Sequence, residues 1–205
     1  MRRLGLPLLL ALPALSLAVA GLFHPHHLSY DTSWRWFSLH LPGLLAFPLV
    51  GVALAALVRL RTDPLAWGIR VAAYVYATFY TALDVISGVA AGYVTHELGP
   101  GVPRPEAVSL LFRIGTPLGE IGSWALLATC VLVAADQVGR HGAAGSVALV
   151  LLPGAWLVHV GHIFAPEGVA GMALIAVGTA AVAHVDATRR KSRGAEATNR
   201  VSRAS

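Results

Sequence analysis

Six apolar runs of about 20 residues, each with at most one acidic group, dominate the chain, and such a run is long enough to cross a hydrocarbon layer roughly 30 Å thick as a helix. They fall at 4–23, 41–60, 71–93, 114–135, 145–164 and 168–185. The pattern predicts an all-α fold: a polytopic transmembrane bundle of six spans forming one domain over 1–187, followed by a basic tail over 188–205. Composition points the same way. Hydrophobic residues make up 56% of the chain and charged residues 12%, against roughly 25% charged in a soluble domain. With a mean hydropathy of +0.68, this excludes a soluble globular domain, and equally a disordered chain.

The punctuation between the runs supports these boundaries. Thr62-Asp63-Pro64 carries a helix-start signature, Gly99-Pro100-Gly101 closes a loop, Arg140 and His141 mark a short turn, and Pro166-Glu167-Gly168 separates the last two runs. The first run follows Met1-Arg2-Arg3. It reads as an uncleaved signal-anchor helix on length, or as a signal peptide cleaved after Ala18-Val19-Ala20, and both readings put the next segment outside the membrane.

With an even number of spans, both termini share one side. That side receives Arg2, Arg3, Arg59, Arg61, Arg70, Arg140 and the six tail cations, leaving Arg35, Arg104 and Arg113 opposite, twelve against three. Because cytoplasmic loops carry the excess of Lys and Arg, both termini are expected to be cytoplasmic and the protein to lie in the inner (plasma) membrane. A net charge of +5 would otherwise suggest nucleic acid as a partner; placed by membrane side, it serves topology instead, and none is expected. The bilayer is the expected partner, with a membrane protein or a second copy of the chain left open. The tail lacks apolar periodicity and is expected to be disordered. The lone Cys130 sits in an apolar run, which rules out an intramolecular disulfide or a CxxC pair. Gly88, Gly92, Gly115, Gly119 and Gly122 give the third and fourth runs small-residue spacing for close helix approach.

The polar groups that could do chemistry collect on the outer side. Seven of nine histidines fall there, His24, His26, His27, His40, His96, His159 and His162, leaving His141 and His184 on the inner side. Asp84 and Glu120 lie in the outer halves of the third and fourth runs. A carboxylate at membrane depth costs about 2.5 kcal/mol or more, so each should face the bundle interior and have a partner. Arg113 is the expected counter-ion. His159 and His162 are three apart and would share a helix face. Together these residues predict an outward-facing cavity built from the third, fourth and fifth spans and roofed by the loop 24–40.

Several chemistries fit such a site. Neutral imidazoles with a carboxylate are transition-metal ligands, which makes His159 and His162 the expected ligands of copper or zinc, with Asp84 or Glu120 completing the set. His40 or His96, paired with His159 or His162, could instead clamp a haem. A proton-coupled carrier would use Asp84 and Glu120 as its titrating groups. A membrane-embedded hydrolase or lipid-modifying enzyme would use Asp84, Glu120 and Arg113 as catalytic groups, although no HExxH or GxSxG motif is present. A structural or partner-binding subunit is the remaining reading.

Overall fold

The computed structural model describes residues 5–101 and 106–204, with side chains described through residue 192. Arg2, Arg3, Arg104 and the tail side chains beyond 192 lie outside what is described. Among the described residues there is no strand, and seven α-helices account for most of the chain: α1 (Gly5–Phe23), α2 (Tyr30–Ala56), α3 (Pro64–Leu83), α4 (Ala91–Glu97), α5 (Glu106–His141), α6 (Leu151–Gly161) and α7 (Glu167–Ala204). A π-helical segment, Asp84–Ala90, joins α3 to α4 without a break, and a 3₁₀ segment, Gly142–Val150, leads into α6. Five helical stretches are long and apolar enough to cross a membrane: Gly5–Phe23, Tyr30–Ala56, Pro64–Glu97, Glu106–Gly161 and Glu167–Ser192.

The fourth of these stretches is folded in two. Gly142 takes φ +57, a left-handed turn that glycine adopts without steric cost, and the 3₁₀ segment and α6 return alongside α5. The doubling back brings Ser123 on α5 within hydrogen-bond distance of His159 on α6. The helices then close a ring in chain order: α1 on α2, α2 on α3, α3 on α5, α5 on α6, α6 on α7 and α7 back on α1. Leu54, Ile69, Tyr76, Leu126, Leu151, Met172 and Ile175 fill its interior. Large apolar side chains also crowd the outside, with Leu45 and Tyr74 each 71% exposed, so the surface is apolar where a soluble bundle would be polar.

Several helices run past their predicted limits, α2 and α7 with the most consequence. α2 starts at Tyr30, so residues 30–40 are its first turns and only 24–29 remain as loop; the expected roof over 24–40 is mostly helix. The start has local causes: the Ser29 N–H donates to Thr32 Oγ1 at 2.9 Å, and Asp31 supplies a negative charge in the first turn. α7 likewise continues as helix to Ala204, through the segment predicted to be disordered. Asp63 caps α3 as expected, accepting from the Ala66 N–H at 3.2 Å with Pro64 next in line.

At the end of the bundle that carries the 57–63 loop and the Gly142 turn, three carboxylates hold the chain together. Asp136, 3% exposed, is bonded to both Arg61 and Arg140, and Arg61 also pairs with Asp63 at 2.7 Å. Asp186 on α7 takes His141 at 2.8 Å and Arg140 at 3.6 Å. The network ties α5 and α7 to the loop before α3. At the opposite end the helices part to enclose open space.

Candidate functional site

The π-helical segment sets the geometry of the site. In an α-helix the Ala91 N–H would bond the Ser87 carbonyl; here it reaches Gly88 and Ile86 instead, and the Ser87 carbonyl takes the Trp36 indole N–H from α2 at 3.1 Å. α2 is thereby pinned to the wide turn, and His40, one helical turn after Trp36, is pressed against Gly88, where a Cβ would lie 2.1 Å from the imidazole Cδ2. On its other side the third pass meets α5 through small residues, with Gly115, Gly119 and Gly122 facing Ser87, Leu83 and Tyr80.

Two cavities adjoin at this end. The larger, about 490 Å³, lies between α2, the α3–π segment, α5 and α6, and Glu120, His159, His162 and His40 all border it. The smaller, about 110 Å³, lies between α1, α2 and the π segment and holds Asp84 and His24. His40 lines both, so it is the wall they share.

The hydrogen bonds of His24 and His40 define their tautomers. His24 Nδ1–H donates to the Pro25 carbonyl at 2.8 Å, and His40 Nδ1–H to the Trp36 carbonyl at 2.6 Å. A carbonyl only accepts, so in the neutral rings both Nε2 atoms carry lone pairs. Those two Nε2 atoms face each other at 3.4 Å, with the rings near perpendicular. His24 sits in the loop before α2, and burial, reinforced by the neighbouring His40, pushes its pKa down to about 4. Asp84 stands beside the pair. Its carboxylate is 3.8 Å from His40 Nε2, it is 1% exposed, and neither oxygen has a hydrogen-bond partner.

No known protein family, curated protein or solved structure matches the chain. The site therefore has to be read from its own chemistry. Among the described residues, no group of three or more His, Cys, Asp or Glu side chains is placed to hold a metal ion.

The predicted site residues do not form one cluster. His159 and His162 both border the larger cavity, but they do not share a helix face. α6 ends at Gly161, and His162 is its cap with φ +51, which turns it toward Tyr80, whose hydroxyl lies 2.7 Å from its Nδ1. His159 instead meets Ser123 at 2.8 Å between the rings of Trp124 and Trp156. Glu120 borders the cavity from its exposed edge, with no ion pair or hydrogen bond to its carboxylate among the described residues. Among the described residues Arg113 makes no ion pair with Glu120 or Asp84: it lines an adjoining shallow hollow with Ser109 and Pro117, on the exposed side of α5. His96 is also apart. It packs against Tyr30 and Trp34 and lies 3.3 Å from Ser33, tying α4 to the start of α2.

The sequence places His24 among the seven outer-side histidines without a partner, and it gives no sign of the π segment or of Ser87. His24 follows directly on an apolar helix, which signals burial but not a partner. His40 is paired with it through tertiary packing alone.

Proposed function

We propose that this chain is a six-span inner-membrane protein, with both termini cytoplasmic, that binds one transition-metal ion at the outer end of its bundle between His24 and His40, with Asp84 as a further donor. The fold of 106–161 back on itself supports six passes. Arg59, Arg61, Arg70 and Arg140 at the end carrying the ion-pair network, against Arg35 and Arg113 towards the other, support the orientation.

The observation that carries the metal reading is the pair of opposed Nε2 lone pairs. Two neutral imidazoles so placed repel unless a proton or a cation lies between them. Two metal–nitrogen bonds of about 2.05 Å at a tetrahedral angle separate their nitrogens by roughly 3.4 Å, the spacing seen here. Each ring also donates its other N–H to a backbone carbonyl, the arrangement that orients a metal-bound imidazole. Asp84, buried with no hydrogen bond to either carboxylate oxygen, stands 3.8 Å from His40 Nε2 as the further donor. The ligands are thus His24 and His40 rather than His159 and His162. Haem fits less well: nitrogens on opposite faces of its iron are about 4 Å apart, and the closer His24/His40 spacing leaves no room for a porphyrin between them.

Elemental analysis of the detergent-purified chain after loading with zinc, copper or cobalt tests this, beside His24→Ala/His40→Ala and His159→Ala/His162→Ala variants. One ion per chain, lost in the first variant and kept in the second, is the expected result. Loss only in the second overturns the ligand assignment. A folded protein that takes up none of these ions overturns the metal reading.

A proton-coupled carrier is the second reading, favoured by the π-helical interruption beginning at Asp84 and by the unpartnered carboxylate there. It predicts a pH-linked flux abolished by Asp84→Asn in protein that carries no metal.

A further inference from the structure

We infer that the 490 Å³ cavity is a binding site in its own right, separate from the proposed metal centre, and that it takes a protonated organic amine with an apolar body, the ammonium held at the mouth by Glu120 and His159.

The charge of the lining points there first. Among the described residues that border the cavity, Glu120 alone carries a fixed charge, beside three imidazoles and no lysine or arginine. Its carboxylate has no cation next to it, since Arg113 lines the adjoining hollow instead. Ile121 and Trp124, its neighbours on α5, are exposed apolar residues of the bundle surface. In such surroundings an uncompensated carboxylate is costly. A ligand that brings a positive charge to the mouth removes that cost, whereas an anion adds to it.

An acceptor stands beside the carboxylate. The Ser123 hydroxyl donates to the Glu120 carbonyl at 2.9 Å, so with its one proton spent it accepts from His159 Nδ1–H at 2.8 Å. In the neutral ring Nε2 then carries the lone pair, and it has no hydrogen-bond partner among the described residues. Trp124 and Trp156 flank the imidazole with ring centres 4.4 and 5.5 Å away, which holds its orientation. Ser123 thereby ties the backbone of Glu120 to His159 across α5 and α6. An ammonium N–H answers both the charge and the lone pair; a quaternary ammonium answers the charge alone.

The enclosure supplies the rest. A volume of about 490 Å³ falls in the range of small-molecule sites, roughly 300–1,000 Å³. Trp36, Tyr80, Phe112 and Phe164 line it with aromatic rings, which suit an apolar body and attract a neighbouring positive charge. Thr116 and Glu120 are exposed, so the mouth lies along α5 and the apolar body extends inward from it. His24 and Asp84 line the smaller chamber and not this cavity, so the inference does not rest on a bound metal ion.

Calorimetric titration of the full chain in a non-ionic detergent tests this, with phenethylammonium and hexylammonium as ligands and two near-isosteres of the first, neutral 2-phenylethanol and anionic phenylacetate, as comparators. One amine per chain is expected, bound about tenfold or more tighter than the alcohol, with phenylacetate weaker still. Glu120→Gln keeps the size of an exposed side chain and should weaken the amine about tenfold while leaving the alcohol unchanged. Phenethyltrimethylammonium, which has no N–H to give His159, should bind about fivefold more weakly than the primary amine. Phenylacetate bound as well as the amine, an amine affinity untouched by Glu120→Gln, or a trimethyl analogue bound as tightly as the amine each overturns the assignment. So does a chain that shows a cooperative thermal transition, and is therefore folded, yet takes up neither amine. His24→Ala, which removes a proposed metal ligand outside this cavity, is expected to lose the metal and keep the amine, so the two readings stand or fall separately.

Discussion

The His40 imidazole occupies the space that a side chain at position 88 would need. A Cβ on Gly88 would lie 2.1 Å from Cδ2 and 2.8 Å from Nε2 of that ring, closer than real Cβ contacts come. The two residues sit on different passes, so the glycine sets where the proposed ligand points.

Gly88→Ala is therefore expected to displace His40 and weaken zinc or cobalt binding by about 10- to 100-fold, as loss of a residue that positions a ligand does. Gly68→Ala is the control, since its Cβ would meet Leu132 at an ordinary 3.7 Å. Equal affinities in the two variants, by metal titration, would show that His40 does not need this gap.

Trp36→Phe keeps a ring against His40 but removes the indole N–H that the Ser87 carbonyl accepts. Leaving that carbonyl unpaired in the bundle is expected to cost about 1–3 kcal/mol. Thermal unfolding in detergent measures it, and an unchanged midpoint would mean that the π-helical carbonyl finds another donor.

Asp136→Asn acts at the far end. It leaves Arg61 and Arg140 with weaker partners; these arginines keep a quarter to a third of their side-chain surface exposed, which places the expected loss between that of an exposed and a buried pair, about 2–3 kcal/mol. Metal content should not change. A variant that loses metal before it loses its fold would reveal coupling between the two ends.

The six-pass orientation is tested by labelling. In a Cys130→Ala background, which removes the lone native thiol, His27→Cys and Gly139→Cys lie at opposite ends of the bundle at exposed positions. An impermeant maleimide added to spheroplasts should label the first and not the second. The reverse pattern inverts the topology, and labelling of both refutes six passes.

Much of the architecture was legible because hydrocarbon imposes a simple rule on it. The apolar runs mark the helices, Asp63-Pro64 marks a helix start, and Arg140-His141 marks the reversal, each by a local signal. The extension of α2 back to Tyr30 was hidden because its first turns carry Asp31, Arg35 and two tryptophans, which end the apolar run though not the helix. From the sequence the candidate site reads as a collection of histidines and acids gathered towards one end of the bundle, but not as a set of partners. The π-helical turn at Asp84 leaves no mark in periodicity over seven residues, and it rotates the remainder of the third pass, so His40 meets His24 and Gly88 rather than His159. Arg113 was misassigned for the same reason: its position on α5 was readable, but which face of α5 turns inward was decided by the glycines at 115, 119 and 122.

The 3₁₀ segment after Gly142 has a bearing on bilayer thickness. The returning half of the folded stretch, from Gly142 to Gly161, has twenty residues, nine of them 3₁₀ and eleven α-helical. At rises of about 2.0 and 1.5 Å per residue these reach roughly 34 Å, where an all-α pass of that length would reach about 30 Å. Over-stretching lets this short stretch match its longer neighbours α5 and α7 without added residues, and it makes the length of this stretch sensitive to the membrane around it. In a thicker bilayer there is no slack left to draw on, whereas in a thinner one the 3₁₀ turns can relax toward α, shortening the pass and drawing on α6, whose far end carries His159 and His162.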